Sequence, residues 1–269
     1  MHVAVSIVFS IFIAFYLVLF VSKSQNVINL SSSIIFNEFF GRKSTGALKQ
    51  SVSPASVHWG CESLDRGVTL TFDDGPGPYT AQLLDLLKRL DIKATFFVMG
   101  VAAIRRPELI LRMVDEGHVV ASHTWGHANL TDVMMSGNLT KMDAEIIDTE
   151  DLLFKLTGRR PRLIRPPYGA ANKEVVTYLG GRGYSIVMWS GGCIDWFFHD
   201  MVNKEIPVYI NGMADAGALL CFHDNGQAGD LVSHLEELVT LLRTAEPRTT
   251  ANPQGRKIIS MPECLDQEF

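Results

Sequence analysis

From Gly67 onward the chain repeats one pattern. A short run of β-branched and aromatic residues is followed by a longer stretch whose apolar residues recur three and four apart. The short runs fall at 68–72, 94–98, 118–122, 163–165, 185–189, 218–222 and 257–260. Helical stretches lie between most of them. "TAQLLDLLKRL" puts Leu83, Leu86, Leu87 and Leu90 on one face. "PELILRMVDEG" has proline in its first turn and stops at Gly117, and "MDAEIIDTEDLLFKLTG" ends at Gly158, a residue suited to a left-handed cap. "NKEVVTYLGGRG" and "GDLVSHLEELVTLLR" complete the series. Such alternation predicts an α/β fold, a mostly parallel sheet covered by helices. With about seven strands, it predicts a distorted (β/α) barrel.

Chemistry in such folds gathers at the C-terminal ends of the strands. Polar residues of catalytic type fall there. Asp73 and Asp74 follow the first strand, His123 the third, Arg165 ends the fourth, Asp195 comes soon after the fifth and His223 ends the sixth. In "TFDDGPGP" the two aspartates would alternate faces if the strand continued. A Gly-Pro turn frees both to face one mouth, where one can bind a metal ion and the other act as a base. "SHTWGH" sets His123 and His127 four apart, a spacing that lets two imidazoles converge on one ion. Two histidines and a carboxylate make a three-ligand set with an open position for water. Arg165, stiffened by Pro166 and Pro167, can hold a carboxylate and keep it ionised. His223 is a candidate general acid and Asp195 a candidate partner for it. Taken singly, each has a structural alternative: turn aspartates, a surface histidine pair, a structural ion pair, a satisfied polar residue near the core.

The start of the chain differs. Residues 3–21 are apolar except Ser6 and Ser10, long enough to span a bilayer as a helix. Ser22 and Ser24 also suit cleavage before Gln25. Residues 1–24 are therefore read as a signal peptide or a membrane anchor, 25–57 as a Ser- and Asn-rich stalk, and 58–269 as the catalytic domain. Either reading of the first segment places the domain outside the cell, secreted or at the surface. The sequons at Asn29, Asn129 and Asn138 agree with that. Lys plus Arg is 24 against 29 Asp plus Glu, with no long basic run, which argues against nucleic acid as a partner. The four cysteines follow no CxxC metal pattern. Cys61 and Cys264 flank the folded region and either bridge its ends or stay as thiols.

Together these residues resemble the polysaccharide deacetylases with a NodB-like domain, the carbohydrate esterase family that includes chitin deacetylases. The resemblance covers about residues 58–269 and rests on "TFDDGP" at 71–76, "HTWGH" at 123–127, "RPPY" at 165–168, "IDW" at 194–196 and "CFH" at 221–223, in family order. "IKATFFVMG" and the closing "MPECLD" look most like fungal chitin deacetylases, and that likeness implies a Cys61–Cys264 disulfide. By resemblance, Asp74, His123 and His127 hold zinc, with cobalt or nickel as substitutes, and Asp73 is the base, oriented by Arg165. The Tyr168 backbone N–H helps hold the oxyanion, Asp195 supports His223, which protonates the leaving amine, and Trp196 lines the sugar groove. The implied reaction is metal-dependent removal of N-acetyl groups from N-acetylglucosamine units of chitin or its oligomers by a monomeric enzyme, releasing acetate. Another N-acetylated glycan such as peptidoglycan, or a wall protein that binds carbohydrate without turnover, are the alternatives. Two positions depart from the family. Gly192 stands where an aspartate is usual, and Cys221 where a leucine lines the pocket for the acetyl methyl. Cys193 and Cys221 are free to pair with each other.

Overall fold

The computed structural model describes residues 54–61, 67–192, 214, 217–226, 231–244 and 256–269. The expected signal or anchor and residues 25–53 of the expected stalk, and also Cys193, Asp195 and Trp196, lie outside the described residues, whereas residues 54–57, expected in the stalk, belong to the described fold, with Val57 in its first strand. No helix among the described residues is long and apolar enough to cross a membrane.

The strands are β1 (Val57–His58), β2 (Thr69–Asp73), β3 (Thr95–Val98), β4 (Val119–Ser122), β5 (Leu163–Ile164), β6 (Ser185–Val187), β7 (Gly191–Gly192) and β8 (Leu219–His223). They form one sheet in the order β1-β6-β5-β4-β3-β2-β8-β7, and every ladder is parallel. Eight strands thus replace the expected seven or so. The sheet curls into an incomplete barrel: Gly60, just past β1, bridges Ala218 at the foot of β8, and Cys61 N–H donates to the Gly217 carbonyl at 2.8 Å.

The helices are α1 (Thr80–Arg89), α2 (Gly100–Ala103), α3 (Pro107–Asp115), α4 (Leu130–Met135), α5 (Leu139–Thr157), α6 (Lys173–Gly181), α7 (Leu231–Thr244) and α8 (Met261–Leu265). The sequon residues Asn129 and Asn138 cap α4 and α5, accepting from backbone N–H groups of Thr131, Asp132 and Lys141. Gly158 ends α5 in the left-handed conformation, as its position predicted.

Strand alternation sorts side chains between two cores. Leu70, Phe72, Phe96, Val98, Leu220 and Phe222 face outward, packing with Leu83, Leu84 and Leu87 of α1, Ile110 and Met113 of α3, and Leu238 and Leu242 of α7. Phe72 stacks on Phe96 at 5.2 Å between centroids. Each such buried side chain contributes about 1.5–3 kcal/mol. The neighbouring positions, Phe97, Ala121, Leu163, Val187 and Leu219, pack in a separate cluster with Ile259, Met261, Cys264 and Leu265 from the end of the chain. That segment was expected to supply a seventh strand at 257–260. It instead makes a single bridge, Val68 to Ile258, and turns into α8, which stops the lower end of the curled sheet. The Cys61–Cys264 disulfide is formed there, across 203 residues of sequence.

Candidate functional site

Asp73 is the last residue of β2 and is buried. Register places it opposite His223 on one side and Phe97 on the other, with Thr71 opposite Cys221 one pleat below. Asp74 would next point away from this face. It adopts φ +71° instead, a left-handed conformation uncommon for a residue with a side chain, and the cis Gly75–Pro76 bond follows. The turn is tightly held. Asp224 N–H donates to the Asp73 carbonyl at 3.1 Å and Met99 N–H to the Gly75 carbonyl at 3.1 Å. A Cβ at residue 75 would lie 2.1 Å from Asp224 Oδ1, so only glycine fits against that carboxyl.

Arg165 is fully buried, and a buried guanidinium requires both counter-charge and acceptors. It donates through Nη1 to Asp73 Oδ1 at 2.7 Å and Thr71 Oγ1 at 2.8 Å, through Nε to the Val187 carbonyl at 3.0 Å, and through Nη2 to the Met188 carbonyl at 2.8 Å. Its face rests 4.2 Å from the Phe97 ring centroid. Asp73 Oδ2 accepts from the Cys221 thiol at 3.5 Å. One carboxylate oxygen is therefore fixed by arginine, while the other faces the side of β8.

His123 follows β4. Its Nδ1 lies 2.6 Å from the Arg165 carbonyl. A carbonyl only accepts, so Nδ1 carries the hydrogen and Nε2 presents its lone pair when the ring is neutral. That Nε2 is 3.3 Å from Asp74 Oδ1, and His127 Nε2 is 3.2 Å from the same oxygen. The loop between the histidines is shaped by left-handed Thr124 and His127 (φ +67° and +64°) and pinned by bonds from Gly126 N–H to Glu145 Oε2 at 2.8 Å and from His127 N–H to Thr124 Oγ1 at 3.1 Å. The Tyr168 hydroxyl meets His127 Nδ1 at 3.1 Å. Asn225 Nδ2 donates to Asp74 Oδ2 at 3.0 Å.

Two imidazole nitrogens thus aim at one buried oxygen that has no hydrogen-bond partner among the described residues. Lone pairs do not converge on a carboxylate unless a proton or a cation lies between them. An ion held tetrahedrally at about 2.1 Å by nitrogen and oxygen has its ligands about 3.4 Å apart, close to the separations seen. The three donors suit such an ion, with a fourth position left for water or substrate. Burial pushes the Asp74 carboxyl up, but the nearby His123 ring and the charges of His123, His127 and His223 outweigh it and bring its pKa below the usual value. Burial lowers the His127 pKa against the pull of Asp74, favouring the neutral ring that a metal needs.

The residues expected at the strand ends therefore meet in one mouth: Asp73, Asp74, His123, His127, Arg165, Tyr168, Cys221 and His223. Tyr168, with φ +61°, is 69% exposed and sets its ring edge-on to His127 at 4.6 Å between centroids. Gly192 is explained by its backbone. At φ +80°, a Cβ there would lie 2.3 Å from the Cys221 carbonyl, so this loop has no room for an aspartate. Sequence reading missed Glu145, although it lies on the buried stripe of α5 with Met142, Ile146, Thr149 and Leu153. A carboxylate on an apolar stripe is the signal that finds it. Asp224, also missed, is fully buried behind the turn and accepts from the Thr80 hydroxyl. Desolvation, opposed by that bond and reinforced by Asp74 and Asp73, raises its pKa to about 7.

A curled parallel sheet with a candidate metal centre and an arginine-held carboxylate at its strand ends defines a hydrolase-type α/β half-barrel. Comparison with known proteins narrows the class. Residues 62–187 match the family model described as polysaccharide deacetylase. A solved structure described as the T48 deacetylase with substrate aligns with a TM-score of 0.62 at 32% identity, over 75% of this chain and 92% of that one. The chain is 34% identical over 189 residues to a peptidoglycan-N-acetylglucosamine deacetylase of Bacillus cereus, covering 69% of this chain and 66% of the relative. It is 35% identical over 159 residues to a chitin deacetylase of Pestalotiopsis, covering 58% of this chain and 52% of the relative. The protein belongs to the polysaccharide deacetylase family. It spans less than two thirds of these curated relatives, and 33% of longer ones from Listeria monocytogenes. The expected fungal likeness is not confirmed, because the bacterial match is the more extensive of the two.

Proposed function

We propose that the protein is a metal-dependent hydrolase that removes N-acetyl groups from N-acetylglucosamine units of a structural glycan, releasing acetate. The observation that carries this reading is the side-by-side placement of unlike aspartates. Asp74 faces two imidazole nitrogens, and Asp73, one residue away, is held by Arg165 with its second oxygen toward β8. Asp74, His123 and His127 would hold the cation, zinc in our reading, with cobalt or nickel able to replace it. When bound there, such an ion would polarise the amide carbonyl and make water a nucleophile near neutral pH. Asp73 takes the proton of the attacking water, and Arg165 keeps its carboxylate oriented and ionised before attack. The Tyr168 backbone N–H stabilises the charge that develops on the carbonyl oxygen. His223, opposite Asp73 across the β2–β8 ladder, gives a proton to the departing nitrogen, with Asp195 orienting its ring. Trp196 and the exposed Tyr168 ring line the path of the sugar chain.

Two polymers carry this unit. The extent of the match to the bacterial relatives favours peptidoglycan. The Cys61–Cys264 bridge, implied by the likeness to fungal enzymes and present in the fold, favours chitin. We place the catalytic domain outside the cell as a monomer, with residues 3–21 as its signal or anchor. The test is acetate release from chitin oligomers and from peptidoglycan, each with and without a chelator. Chelator-sensitive release is expected, and the better polymer identifies the substrate. Metal-loaded protein that frees no acetate from either would overturn the reading in favour of a carbohydrate-binding role.

A further inference from the structure

Beside the Asp74 centre, Asp73, Cys221 and His223 bring a carboxylate oxygen, a sulfur and a ring nitrogen within 4.8 Å of one another. The sheet makes this grouping. Cys221 and His223 lie two apart on β8, hence on one face, and register sets His223 opposite Asp73. Arg165 occupies Asp73 Oδ1, so Oδ2 is the oxygen turned toward the thiol, at 3.5 Å. A tetrahedral ion with sulfur at about 2.3 Å and oxygen at about 2.1 Å has those two ligands about 3.6 Å apart. The pair already stands at the edge length of such a site.

We propose that Asp73, Cys221 and His223 form a second cation site, selective for thiophilic ions such as zinc, cobalt or cadmium, whose occupation switches the enzyme off. Sulfur sets the selectivity, since magnesium and calcium prefer oxygen donors. On binding, the Cys221 thiol gives its proton to solvent and the thiolate bonds to the ion. Asp73 Oδ2 then has no lone pair directed at water, and the His223 nitrogen has none to carry a proton. The second ion binds after the first, because it enters beside a positive charge already held by Asp74, His123 and His127. The shut-off rests on the proposed roles of Asp73 and His223, whereas the binding does not.

The full chain, stripped of metal, is titrated with Co2+ and followed by absorbance and by bound-metal stoichiometry. Wild type is expected to take two ions, with a thiolate-to-cobalt charge-transfer band growing only on the second. Cys221→Leu should take one ion and show no such band, while the ligand-field bands of the first ion persist and report an intact fold. In acetate-release assays, excess zinc should inhibit wild type. In Cys221→Leu the inhibitory concentration should rise by more than the roughly 10–100-fold that loss of a mere outer-shell partner costs. A single ion in wild type, or a band that survives in Cys221→Leu, overturns the site. Absence of turnover in a protein that still shows the Cys221-dependent band overturns the proposed reaction and leaves the site standing.

Discussion

The inner face of the sheet is built from the same strands at both ends, yet its two ends have opposite natures. Toward the foot it presents Leu163, Val187 and Leu219, closed by Ile259, Met261 and Leu265 and tied by Cys61–Cys264. One or two pleats higher the same strands, or the residues that follow them, present Arg165, Cys221, His223 and Asp73, with Phe97 level with Asp73. The apolar end makes the polar end possible. Arg165 sits over the Phe97 ring with no exposure, so its attraction to Asp73 is little weakened by water. An aspartate on an open sheet would be a weak, solvated base. Here the floor turns it into an oriented one.

The largest expected effect breaks the upper end alone. Asp74→Asn removes the negative charge from the group that His123 and His127 share. Bound metal should be lost and acetate release should fall to background, while the thermal midpoint of metal-free protein stays close to that of metal-free wild type. If the variant keeps stoichiometric metal, Asp74 is not a ligand. Asp73→Asn sharpens the division between the two carboxylates. Turnover should drop by about 10²–10⁴-fold, the usual size of a general-base contribution, with the first metal ion still bound. Loss of metal and turnover together would merge two roles that the geometry separates.

Much of this was legible in the sequence because strand period and strand-end chemistry are local signals. The runs ending at Asp73, Ser122 and His223 were found within a residue or so, since apolar residues two apart give way abruptly to polar ones. β1 and β7 were not, for Val57–His58 pairs one apolar with one polar residue, and Gly191–Gly192 offers no side chain to read. Residues 257–260 look like a strand because Ile258 and Ile259 are β-branched. Ile259 is apolar because it plugs the sheet and Ile258 because it packs on the outer cluster, tertiary demands that pattern cannot separate from pairing. In the site, residue types were legible but aim was not. The left-handed turn at Asp74 depends on Asp224 and Met99, both distant in sequence.

The next test breaks the lower end alone. Cys61→Ser opens a bridge that closes 203 residues of chain, and losing such a constraint typically costs about 2–5 kcal/mol. The denaturation midpoint should fall, while turnover per folded molecule, measured well below that midpoint, should hold. If turnover collapses in protein that remains folded, the foot does more than support the mouth.

The smallest effect concerns Asp224, which sits behind the mouth and joins its turn to α1 through Thr80. Burial raises its pKa from 3.8 to about 7, helped by the charges of Asp74 and Asp73. Its carboxyl is therefore protonated in the folded protein over a range where the unfolded chain has already ionised it. The folded state binds more protons there, so stability must fall as pH rises. The contribution is complete below the unfolded value near 3.8 and is gone once pH has passed through about 7. A cation on Asp74 cancels one of the charges responsible, so the effect is greatest in chelated protein. Asp224→Asn cannot ionise. Thermal melts of chelated wild type should lose stability, relative to this variant, as pH climbs through about 7. Parallel curves for the two proteins would mean that Asp224 does not hold its proton, and that the turn is set by packing on Gly75 alone.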